Sequence, residues 1–95
     1  MPSEGARVAL SARFKRDLRK AAPRIRDEAA EALGRLVENR HYPGLNLERI
    51  RDEVWSIRVT RNFRIFLRRT TDAEGELFIA SRLETHDIYK RHKRR

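Results

Sequence analysis

The chain has 95 residues, no cysteine, 39% hydrophobic and 39% charged residues, and a formal net charge of +9 at pH 7. That is one domain with room for a small core, and it excludes a disulfide framework, a thiolate metal site and a cysteine nucleophile. The positive excess marks a protein that meets a polyanion, whether RNA, DNA or an acidic protein segment, and it is spread as +4 in residues 1–50 and +5 in residues 51–95 rather than confined to a basic tail.

The opening stretch MPSEGARVAL has no apolar h-region, and no apolar run approaches the ~18 residues of a membrane span. A soluble, cytoplasmic chain without membrane contact is expected. In chain order, RVALSA reads as a first strand with Val8 and Leu10 alternating. Ser11 can cap a helix with Phe14, Leu18 and Ala21 on one face. Pro23 suits the first position of a second helix, PRIRDEAAEALGRLVENR. Its apolar stripe is Ile25, Ala29, Ala32, Leu33, Leu36 and Val37, and the two helices read as a hairpin held by their stripes. HYPGLN breaks the pattern at Pro43 and Gly44, after which the period changes from helical to alternating. LERIR, VWSIRVT, FRIFLRRT and ELFIASRL read as four strands, with the turn TDAEGE before the last. The predicted order is β-α-α-β-β-β-β, an α+β domain over residues 1–95 with both helices on one face of a twisted antiparallel sheet.

Both central strands must turn their apolar sets to the same core. Trp55, Ile57 and Val59 therefore face inward with Phe63, Ile65 and Leu67, which sets Val59 opposite Phe63 and Ile57 opposite Ile65. The loop is then Thr60, Arg61 and Asn62, with Asn62 suited to a left-handed backbone. The same register sets Arg58 directly across from Arg64. Like charges so opposed cost a sheet a few tenths to ~1 kcal/mol, and residues 56–70 carry five arginines and no acid. With Leu77 and Ile79 inward, the outer face gathers Arg58, Arg64, Arg68 and Arg82 around Phe66 and Phe78. A solvated polar face is the plain reading of such a surface. Four cations without a matching anion instead suit phosphate, which guanidinium groups bind in a fork, and the phenylalanines would serve to stack bases or to form a small second core.

The chain closes on ETHDIYKRHKRR, where His86 and Tyr89 share one side of a helical turn. An imidazole and a phenol beside a phosphodiester held by arginines suit RNA cleavage, in which the 2′-OH is the nucleophile. The protein then supplies a base, an acid and cations for the phosphorane charge. His41, His86 and His92 lack metal-ligand spacing, and neither a metal nor another cofactor is called for.

WSIRVTRNFRIFLRR, followed by a strand and HDIY, resembles the RelE/ParE superfamily of bacterial type II toxins, and most closely its ribosome-dependent mRNA interferase branch of RelE, YoeB and HigB-like members. The resemblance implies a RelE/ParE-like fold and a metal-independent endoribonuclease that inhibits translation. It implies catalytic roles for Arg58, Arg64, Arg82, His86 and Tyr89. Arg61, Arg68, Lys90, Arg91, Lys93, Arg94 and Arg95 would contact messenger RNA in the ribosomal A site and ribosomal RNA. The implied partner is an acidic antitoxin, through which alone operator DNA would be met, in a bacterial or archaeal cytoplasm. Some relatives place a glutamate or lysines before the tryptophan strand, where this chain has Glu48 and Glu53 in LERIRDE. The ParE branch shares the fold but is similar to gyrase inhibitors, acting by protein binding without nuclease chemistry, and a non-catalytic RNA- or DNA-binding module is the other alternative. Glu84 and Asp87 read as helix-start or surface charges.

Overall fold

The computed structural model describes residues 5–85. They form β1 (Val8–Leu10), α1 (Ala12–Lys20), α2 (Pro23–Glu38), β2 (Glu48–Arg51), β3 (Val54–Arg58), β4 (Phe63–Asp72) and β5 (Gly75–Thr85). The Ser11 hydroxyl caps α1 by accepting the Phe14 amide at 3.0 Å, and it donates to the Ser81 carbonyl at 3.3 Å. Arg19 and Lys20 occupy the last turn of α1, where cations complement the helix dipole. Pro23 opens α2, a position where its missing N–H costs nothing and its fixed φ suits the helix.

The sheet order is β1-β5-β4-β3-β2. Both helices cover one face. Phe14, Ala29, Ala32 and Leu36 meet Ile57, Ile65, Leu67, Phe78, Ala80 and Leu83 in a single buried cluster. α1 lies along β5, with the Leu83 amide donating to the Asp17 carboxylate at 3.1 Å. The segment before β1 docks on the end of α2 through the Ala6 amide and the Leu36 carbonyl, 3.1 Å apart. The approach there is so close that a Cβ on Gly5 would stand 1.8 Å from the Val37 carbonyl oxygen.

Several sequence expectations change. The sheet is mixed, because β1 pairs parallel with β5 while every other neighbouring pair is antiparallel. The chain leaves β1 into helices that cross the face of the sheet, so β1 lies at an edge beside a strand of the same direction. Asn62 does not take the left-handed backbone; among the described non-glycine residues, Asn46 and Asp52 do. Leu10 and Val37, expected on buried faces, are 41% and 52% exposed. The largest revision concerns β5. Phe78 and Ala80, not Leu77 and Ile79, belong to the buried cluster. Between Phe66↔Arg82 and Leu67↔Ala80 the register shifts, so Ser81 is an extra residue on β5. Such a bulge reverses the inward–outward phase along the strand, which returns Arg82 to the outer face after Phe78 and Ala80 have faced the core.

Candidate nucleic-acid interface

The β3–β4 hairpin has the register its apolar pattern requires: Ile57 opposes Ile65 and Arg58 opposes Arg64. The Val59 amide donates to the Phe63 carbonyl at 3.0 Å, and the Arg58 amide instead donates to Leu45 on the other side at 2.8 Å. Arg58 and Arg64 are thus a non-hydrogen-bonded pair, the kind whose side chains lie closer together. Across the outer face run two rows. One holds Glu48, Ser56, Phe66 and Arg82; the other holds Arg58, Arg64 and Glu84.

Arg64 is not a free surface cation. It is 7% exposed, and its Nε donates to the buried Ser56 hydroxyl at 3.2 Å. A terminal nitrogen donates to the Asn46 carbonyl at 3.4 Å and lies 3.6 Å from the Glu48 carboxylate. Burial is the main reason its pKa falls below the ordinary arginine value; Glu48 opposes that shift and Arg58 adds to it. Arg58 is exposed. Arg82 is held from two sides, with its Nε 3.2 Å from Glu84 and its guanidinium 5.4 Å from the Phe66 ring centroid.

Acids thus stand on this face that residues 56–70 alone do not contain. Glu48 arrives on β2 beside Arg64, and Glu84 arrives on β5 directly opposite it. Glu84 is neither a helix start nor a surface charge, since it sits within β5 with its side chain 11% exposed. Glu53 lies in the exposed β2–β3 turn, away from this cluster. The phenylalanines are not open stacking platforms either. Phe66 is 1% exposed beneath Arg82, outside the main core, and Phe78 is fully buried within it. Trp55 packs edge-on against Phe78 with centroids 5.7 Å apart, as a core residue should.

Of the residues expected in the site, Arg58, Arg64 and Arg82 share the outer face. Arg68 lies on the same face four residues along β4 from Arg64, opposite Ile79, about 13 Å away at strand rise. Arg61 is exposed in the hairpin loop. His86, Tyr89, Lys90, Arg91, Lys93, Arg94 and Arg95 lie outside the described residues. Sequence reasoning did not find Glu84 as a partner of Arg82, because it ended the last strand at Leu83, whereas β5 runs on to Thr85 and keeps Arg82 and Glu84 on one face. His41 lines a separate shallow cavity of about 300 Å³ with Arg40, Tyr42, Pro43, Gly44, Asn46 and Leu47.

A family model described as a ParE-like toxin domain matches residues 23–91. No curated protein matches the sequence. Among solved structures, a YoeB/ParE toxin from Agrobacterium tumefaciens is similar at TM-score 0.65 and 13% identity, over 84% of this chain and 98% of that one. A RelBE2 toxin–antitoxin complex from Mycobacterium tuberculosis is similar at TM-score 0.64 and 21% identity, over 85% and 98%. A RelB–RelE antitoxin–toxin complex from Methanococcus jannaschii is similar at TM-score 0.60 and 18% identity, over 87% and 96%. The matched family model covers most of the chain, and the fold is the one those toxins share: the chain belongs to the ParE-like toxin domain family, within the RelE/ParE superfamily of toxins.

Proposed function

We propose that this toxin is a ribosome-dependent mRNA endonuclease that inhibits translation and is held inactive by an acidic antitoxin laid over its basic face. The observation that carries this reading is the opposed pair Arg58 and Arg64 with Arg82 on the sheet face away from the helices. Opposing two guanidinium groups costs stability, and a phosphodiester between them offsets that cost. Arg64 is fixed by Ser56, Asn46 and Glu48, so it needs no reorganisation to meet the charge that develops on a phosphorane.

In the proposed reaction a base removes the 2′-OH proton and the oxygen attacks phosphorus. The bond to the 5′-oxygen breaks as an acid protonates it, leaving a 2′,3′-cyclic phosphate and a 5′-hydroxyl. His86 and Tyr89 are proposed for the acid–base work, and Arg58, Arg64 and Arg82 for the equatorial oxygens. Arg61 and Arg68, with Lys90, Arg91, Lys93, Arg94 and Arg95, are proposed to contact ribosomal RNA and message in the A site. The test is cleavage of a translated message by purified protein, set against the same message without ribosomes.

A second reading is favoured by the name of the matched family: inhibition of DNA gyrase by protein binding, as in ParE. In that case Arg64 would be a buried tie between β2, β3 and β4. Blocked supercoiling with translated message left intact decides for it.

A further inference from the structure

The cations of the described residues are paired differently around two turns of the sheet. At the β4–β5 turn the cations are matched, Arg7 with Asp72 at 2.5 Å and both Arg40 and Arg69 with Glu76 at 2.6 and 2.5 Å. At the β3–β4 loop they are not. α1 runs along β5 from Ser81 toward Leu83, so its last turn approaches Thr85, which pairs with Phe63. Among the described residues Arg19, Lys20, Arg24, Arg58 and Arg61 are exposed and form no ion pair. Of the acids nearby, Asp17 accepts the Leu83 amide and lies 3.9 Å from Arg13, Glu84 pairs with Arg82, and Asp27 and Glu28 follow Arg24 by one turn of α2 without an ion pair to it among the described residues.

Where the start of α2 meets the hairpin loop there is a cleft of about 280 Å³, lined by Arg24, Ile25, Thr60, Arg61, Asn62 and Phe63. Its composition is specific. Two guanidinium groups line it, Ile25 and Phe63 form a half-buried apolar wall, and Asn62 offers an amide with both donor and acceptor capacity. The Thr60 hydroxyl accepts the Asn62 backbone amide at 3.2 Å, which holds the loop. Acidic side chains would satisfy the arginines and leave the apolar wall and the amide unused. A nucleotide uses all three, with phosphate on guanidinium, base on the apolar wall and base edge on the amide.

We infer that this cleft is a nucleotide subsite. It holds one nucleotide of a single-stranded RNA that passes from the Arg58–Arg64 face around the end of the hairpin. The inference rests on the RNA-cleaving reading and extends it. The test is the full chain carrying Arg24→Gln and Arg61→Gln together, titrated with a short fluorescent single-stranded RNA of mixed sequence at several salt concentrations. Both positions are exposed and unpaired among the described residues, so the melting temperature is expected to match the parent. Affinity is expected to fall about tenfold, and the slope of log affinity against log salt to shrink by about 1.4, or ~0.7 for each phosphate that is no longer neutralised. Unchanged affinity and slope overturn the subsite. So does an abasic strand of equal length that binds the parent as tightly as the RNA, and so does a glutamate decapeptide that alone shows the tenfold loss. A parent that cleaves no message yet loses RNA affinity on this substitution keeps the subsite and drops the nuclease reading. Message cleavage with RNA affinity unmoved by the substitution does the reverse.

Discussion

Arg58 and Arg64 stand directly opposite one another across the β3–β4 hairpin, as a pair whose strands do not hydrogen-bond at that point. They are not equivalent, since Arg58 is exposed and Arg64 is buried. Arg58→Ala is therefore expected to lose growth inhibition while stability holds or rises by a few tenths to ~1 kcal/mol, as the like-charge opposition is relieved. Arg64→Ala is expected to lose activity on the order of 10²–10³ and also ~1–3 kcal/mol of stability, because buried hydrogen-bonding groups lose their partner. Thermal melting beside a toxicity assay separates the two. Equal melting temperatures for both variants would contradict a tie by Arg64 between β2, β3 and β4.

Glu76 predicts an acid-dependent clasp at the far end of the sheet. Its carboxylate receives hydrogen bonds from Arg40 and Arg69, and these, Arg40 first, hold its pKa below the ordinary glutamate value against the opposing effect of burial. A carboxyl group depressed on folding contributes stability that is present above its unfolded pKa, about 4.3, and is lost as pH falls through the lower folded value. Melting temperature should therefore drop as pH is lowered from ~5, and Glu76→Gln should flatten that drop while lowering stability at neutral pH. A variant with the parental pH profile would remove Glu76 from the account.

Gly5 is expected to tolerate no side chain. Gly5→Ala drives a Cβ against the Val37 carbonyl, a backbone atom held within the end of α2, and overpacking of this kind costs ~1–3 kcal/mol. Melting should fall accordingly. Parental stability would mean that the segment before β1 has room to move away from α2.

Trp55→Ala is expected to give folded but weakened protein rather than the unfolded product of a fully buried site. The ring is half-buried and packs edge-on against Phe78, so the loss should fall near ~3 kcal/mol, the lower end of the range for large core aromatics. Urea unfolding measures it. A loss under ~1 kcal/mol would move the tryptophan out of the core.

Much of the fold is legible in the sequence because period and punctuation agree. Ser11 and Pro23 mark helix starts by chemistry that acts locally. The register of β3 and β4 follows from the demand that Ile57 and Ile65 face one core. What misleads is non-local. Strict alternation carried through Ser81 turns Phe78 and Ala80 outward, whereas the bulge there resets the phase and buries them. Strand-by-strand reading also leaves Arg64 unopposed, because Glu48 and Glu84 reach it from two different strands. The direction of β1 depends on the path of the helices between it and β5, and no residue within Val8–Leu10 encodes it.

The central claim, that this toxin cleaves message, is tested most directly by mapping breaks in a translated mRNA exposed to the parent, His86→Ala, Tyr89→Ala and a chain lacking Arg91–Arg95. The parent should cut only in the presence of ribosomes. The two single variants should bind as the parent does and cut ~10²–10⁴-fold more slowly, as expected on losing general acid–base catalysis. The shortened chain should cut at the parental rate once saturating, with weaker affinity and a shallower salt dependence. Parental cleavage by both His86→Ala and Tyr89→Ala, or an uncut message accompanied by arrested supercoiling, would contradict the account.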